Sequence, residues 1–93
     1  MVTNKNGDHL PVFGILRVKG VNAYGRAEVI YGIPEYDGNA VRTITAAIRY
    51  MERFYAQARD EGYKQIVITH EDLRRNDESV ETEIIHLDLA PEG

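Results

Sequence analysis

The 93-residue chain has no cysteine and no tryptophan, and its few glycines and prolines form no recognised loop signature. Without cysteine, a disulfide scaffold, a zinc ribbon and a thiol enzyme are excluded. No apolar run approaches the roughly 18 residues of a membrane-spanning helix, so no membrane partner is expected. No glycine-rich segment opens a helix in the manner of a phosphate-binding loop. Basic charge is also in deficit: eleven Lys and Arg face fifteen Asp and Glu, for a net charge of −4. Generic binding to a phosphate backbone needs the opposite balance, and nucleic acid is not the expected partner.

What is present describes a folded chain. At 43% hydrophobic residues the composition is too apolar for disorder, and 93 residues allow one core of modest size. Met1 to His9 is polar and carries no apolar signal segment, so a cytoplasmic location is the expectation. Residues 1–9 are read as a flexible tail and residues 10–93 as a single α+β domain.

The hydrophobic pattern divides the domain into five elements. Residues 10–19 alternate, with Val12, Leu16 and Val18 opposed to Phe13, Ile15, Arg17 and Lys19, which predicts a strand. Lys19-Gly20-Val21-Asn22 is read as a turn into a second strand over 23–33, where Ala27, Val29 and Tyr31 alternate with Arg26, Glu28 and Ile30. So short a connection predicts an antiparallel hairpin.

The turn-rich PEYDGN follows, with Asp37 or Asn39 as a helix cap and Gly62 as the closing left-handed residue. Between them Val41, Ile44, Ala47, Ile48, Met51, Phe54, Tyr55 and Ala58 share one face at helical spacing. One long amphipathic helix is predicted. QIVITH and TEIIHLDL supply two further strands, the last with Ile85, Leu87 and Leu89 opposed to Ile84, His86 and Asp88. The expected fold is a four-stranded, mostly antiparallel sheet with one long helix across one face, in the order β-β-α-β-β.

A single helix covers one face only. On the predicted registers the other face carries Phe13, Ile15, Ile30 and Ile84 among charged side chains, a pattern that points to association, with a two-fold homodimer as the leading form. Arg42, Arg49 and Arg53 lie within about 40° of one another around the helix and form a second candidate surface, able to grip carboxylates or phosphates. Charge is also uneven along the chain. Residues 1–70 hold nine basic and seven acidic side chains (+2), and residues 71–93 hold two basic and eight acidic (−6).

His70, Glu71, Asp72 and His86 are raw material for a metal site or a base, but their spacing matches no motif, and no metal or cofactor is predicted. From the second strand into the helix, AEVIYGIPEYDG resembles the corresponding passage of HicB-type antitoxins, anchored on Pro34 and Gly38. The extra strand those proteins carry before the helix is missing and two strands follow it here, so no function is carried across.

These readings favour a small, non-enzymatic interaction protein of the inhibitor, immunity or accessory-subunit type, binding a protein partner and forming a homodimer. Two rivals stand beside it. One is a dimeric enzyme or ligand-binding protein whose facing sheets enclose a pocket lined by Arg17, Arg26, Glu28 or His86. The other is a nucleic-acid binder using the arginine stripe.

Overall fold

A computed structural model of the protein describes residues 14–39, 41–72 and 80–89. The expected tail, residues 10–13, residue 40, residues 73–79 and the last four residues lie outside the described residues. Chain order is β1 (Ile15–Val21), β2 (Ala27–Gly32), α1 (Ile44–Glu52), α2 (Tyr55–Asp60), β3 (Gln65–Glu71) and β4 (Glu81–Asp88). The four strands form one sheet in the spatial order β2-β1-β3-β4, and every neighbouring pair is antiparallel.

The α+β class and the four-stranded sheet agree with the sequence; the helix does not. In place of one long helix there are two short ones, so the chain order becomes β-β-α-α-β-β. Arg53 and Phe54 interrupt the α-helical ladder, their amides donating to Tyr50 O at 3.2 Å and Met51 O at 3.0 Å, three residues back. Phe54 sits at φ −108° and ψ 4°, outside the helical region. No glycine or proline lies between Val41 and Glu61 to break the helix locally. The break coincides with tertiary packing. The Phe54 ring stacks on Tyr31 of β2 at 5.7 Å between centroids and meets Tyr50 edge-on at 5.4 Å.

Helix entry also differs from expectation. Thr43, not Asp37 or Asn39, is the N-cap: its backbone is extended and its Oγ1 accepts the Ala46 amide at 3.1 Å. The exit is as predicted. Gly62 adopts φ +91°, Gly62 N donates to Arg59 O and Tyr63 N to Ala58 O, both at 3.1 Å, which closes the helix as a Schellman motif.

The first hairpin turns later than the sequence suggests. Lys19, Gly20 and Val21 remain in β1, and the turn is Asn22–Arg26. Asn22 organises it, because its Oδ1 accepts the amides of Tyr24 at 2.9 Å and Arg26 at 3.0 Å. Gly20 is instead a strand glycine over which Tyr31, Val29 and Tyr63 close to within 3.2 Å of where a Cβ would stand.

The core lies between the helices and one face of the sheet. Leu16, Val18, Ile66 and Ile68 of the central strands meet Ala47, Tyr50, Met51 and Ala58 of the helices, with Leu89 at the margin. Alternation predicts Leu16 and Val18 correctly, since a buried face imposes period two, whereas in β3 Ile66, Val67, Ile68 and Thr69 are all buried.

Candidate functional site

The outer sheet face, away from the helices, carries a charged lattice. Arg17 of β1 meets Glu71 of β3 at 2.9 Å and Glu81 of β4 at 3.0 Å. Lys19 reaches the same Glu81 at 2.6 Å, and the Thr69 hydroxyl donates to it at 2.7 Å. Antiparallel registry explains the gathering: Arg17 faces Thr69, Ile15 faces Glu71, and Glu71 faces Glu81 across neighbouring strands. Glu81 resolves the like-charge contact between the two glutamates. Burial works to raise its pKa, but bonds from Lys19, Thr69 and Arg17 win and hold the carboxyl at about 2. Beside the lattice, Val67 has 0% of its surface exposed and Thr69 only 3%.

Of the four apolar residues expected to form a patch here, the three that are described are not brought together. Phe13 lies outside the described residues. Ile15 is half-buried at the start of β1, while Ile30 is 51% exposed on the edge strand opposite Lys19, with Arg17 and Lys19 between the two. Ile84 is corrected to the other face. Registry jumps from Ile68↔Ile85 to Thr69↔Glu83, which makes Ile84 the extra residue of a β-bulge. It packs with Ile85 and Leu87 against the core. Strict alternation, the only signal available in the sequence, cannot register an inserted residue.

The helix arginines divide differently. Arg42 precedes the Thr43 cap and is exposed, so it lies outside the helix on which the three arginines were expected to form a stripe. Arg49 and Arg53 stay together despite the helix break, because Arg53 keeps helical dihedrals as the C-cap of α1. With Asn39, Thr43, Thr45 and Tyr50 they border an open groove of about 380 Å³. The Arg53 guanidinium stands 5.2 Å from the centre of the Tyr50 ring, within cation–π range. Among the described residues, none of the three arginines forms an ion pair.

Tyr50 is the residue that sequence reading misses. Placed on the helix flank by periodicity, it is only 3% exposed, and its hydroxyl donates to Asp37 in the turn before the helix. Burial first, and then the Asp37 carboxylate, push its phenol well above the ordinary range. Thr43 carried a usable signal, a hydroxyl immediately before the apolar periodicity begins. Tyr50 carried none, since its burial depends on Gly32 across the fold.

The groups nominated for an enclosed pocket are engaged or far apart. Arg17 belongs to the outer lattice, Glu28 accepts from Asn22 Nδ2 at 2.7 Å, and His86 meets Glu83 at 2.7 Å. His70 pairs with Leu16 on the helix side of the sheet and His86 with Val67 on the other, so the two histidines do not converge. Among the described residues no cluster of three or more His, Asp or Glu is placed to hold a metal ion, and no helix is long and apolar enough to cross a membrane. The chain matches no known family, no curated protein and no solved structure.

Proposed function

We propose that the protein is a small non-enzymatic interaction module, of the inhibitor, immunity or accessory-subunit type, which grips an acidic segment of a partner protein in the groove beside α1. The observation that carries this reading is the placement of Arg49 and Arg53. Both are exposed, neither is ion-paired among the described residues, and both border one groove. Side chains four apart on a helix stand about 5–6 Å from each other at Cβ, a spacing that suits carboxylates carried on one chain. Each guanidinium offers a planar fork that holds a carboxylate through two parallel bonds.

The groove's other members favour the same ligand. Tyr50 orients Arg53 beneath its ring contact, and the hydroxyls of Thr43 and Thr45 and the Asn39 amide supply neutral donors. A short run of carboxylates suits this groove better than a long phosphate chain, because Arg49 and Arg53 are its only cationic lining residues and a polyphosphate track needs more of them. The outer sheet face supports the reading indirectly, since its charges are already paired with one another. Self-association of the chain belongs to the same proposal.

A glutamate-rich peptide titrated into labelled protein tests it. The Nε signals of Arg49 and Arg53 and the amides of Thr43 and Thr45 are expected to shift together. Arg49→Glu with Arg53→Glu should lower affinity more than about tenfold, at roughly 0.5–1 kcal/mol for each exposed pair lost and a similar penalty for each repulsion gained. Shifts confined to other surfaces would refute the assignment. Tighter binding of a single-stranded oligonucleotide of equal charge would transfer the groove to nucleic acid.

A further inference from the structure

The sheet has two edges, and they differ in how they meet solvent. β4 is defended: Glu81, Glu83 and Asp88 line it and a bulge at Ile84 distorts it, both devices that discourage pairing with another strand. β2 has no lysine and no proline, and Glu28 is its one charged residue. Among the described residues nothing pairs with its outer side. Three of the four large apolar side chains exposed among the described residues also lie there, the fourth being Val80 just before β4. Tyr24, 93% exposed, stands at the hairpin tip; Ile30 is on β2 itself; Tyr36, 75% exposed, is in the turn that follows.

The backbone fixes which part of β2 is free to pair. Arg26 spends both its main-chain groups on the hairpin, its amide donating to Asn22 Oδ1 and its carbonyl accepting the Asn22 amide, each at 3.0 Å. Alternation along an extended chain then turns the N–H and C=O of Ala27 outward. The opposite residue agrees: Val21 pairs with Ala27 but gives its carbonyl to the Lys64 amide at 2.8 Å, on the side away from β2. Further along, registry jumps leave Glu28 and Tyr31 as extra residues, so regular pairing is confined to the start of the strand.

We infer that β2 pairs antiparallel with β2 of a second copy about a two-fold axis at Ala27. In this register the two Ala27 residues exchange both main-chain bonds, as a closely spaced antiparallel pair does. Residue positions on either side sum to twice that of the axis, so Arg26 of each copy faces Glu28 of the other. Charge complementarity therefore occurs twice across the seam: Arg26 has no ion pair within its own chain among the described residues, and Glu28, held only by the neutral donors of Asn22 and Tyr63, has no cation of its own there. Ile30 of each copy runs alongside the other's hairpin tip, where Tyr24 is exposed. Four strands become a continuous sheet of eight. This inference rests on the self-association proposed above and gives it an interface; it is independent of the arginine groove, which it leaves open on the helix side.

Sedimentation equilibrium over a concentration series tests it with three variants. Ala27→Pro removes an amide that faces away from β1, at the first residue of the strand where proline is tolerated, so the monomer should keep its circular dichroism and melting temperature. Its dimer constant should weaken at least about tenfold through two lost bonds. Arg26→Glu sets four carboxylates along the seam and should also dissociate the dimer, more strongly at low salt. Adding Glu28→Arg to Arg26→Glu restores the complementary pattern and should restore the dimer. A chain that stays monomeric throughout would overturn the inference. So would a dimer that Ala27→Pro leaves intact, or a charge swap that fails to rescue.

Discussion

The hydroxyl of Tyr50 reaches the Asp37 carboxylate by passing directly over the α-carbon of Gly32. A β2 residue, a helix residue and a turn residue are locked by this one phenol, whose ring fills the core while its polar tip is satisfied. A side chain at position 32 would strike the hydroxyl first and the Phe54 ring next, 3.0 Å away. Gly32→Ala should therefore destabilise the fold by about 2–3 kcal/mol, through strain and the broken bond. Tyr50→Phe removes the obstructing oxygen and should cost about 1 kcal/mol. In urea unfolding the double variant should be more stable than the sum of the single losses predicts, because the first clash no longer exists. Strict additivity would show that Gly32 and Tyr50 are not coupled.

The same phenol and that of Tyr31 give the fold an alkaline limit. Burial and then the carboxylates of Asp37 and Glu61 raise the two pKa values above the ordinary 10. A folded-state pKa raised above the unfolded one contributes stability that is complete below pH 10 and is lost as the pH climbs beyond it. Phenolate absorbance should thus show a late-titrating fraction that unfolding abolishes. Tyr31→Phe and Tyr50→Phe should each reduce that fraction, and a fraction unchanged in both variants would contradict the assignment.

At the acid end the controlling group is Glu81. Its carboxyl, lowered from 4.5 to about 2, contributes stability that is present above pH 4.5 and disappears as pH falls toward 2. The side chain is 29% exposed, so solvent screening reduces the contribution to roughly 1 kcal/mol. Glu81→Gln should lower stability by that amount at neutral pH and flatten the unfolding curve between pH 4.5 and 2. A variant with the wild-type acid profile would place the acid sensitivity elsewhere.

The strand pattern was legible because each central strand has a face that must be buried. Leu16 and Val18 against Arg17 and Lys19 could be read directly, as could Ala47, Met51 and Ala58 on the helices. What was illegible depended on partners distant in the chain. Ile84 looks like an outward residue until a bulge opposite Ile68 is known. The outer face looks open until Glu71 and Glu81 are seen to converge on Arg17 from other strands. The arginine pair at 49 and 53 was visible by spacing alone. Tyr50, which shapes the groove beneath it, was hidden because Gly32 makes its room.

The helix break offers the sharpest separation of local from tertiary causes. Residues 44–60 contain no glycine or proline, and Ala, Arg, Met, Glu and Gln alternate with middling helix formers such as Phe54 and Tyr55, so propensity does not by itself stop the helix at residue 53. Phe54 leaves the helical region and its ring packs between Tyr31 and Tyr50. If this packing holds the break, Phe54→Ala removes its cause and supplies the strongest helix former in its place. The variant should lose about 3 kcal/mol of stability from the vacated aromatic site. At the same time, the Cα chemical shift of residue 54 should move to a helical value as α1 and α2 merge. Loss of stability without that shift would assign the break to the local chain, and Phe54 would then be a core residue like any other.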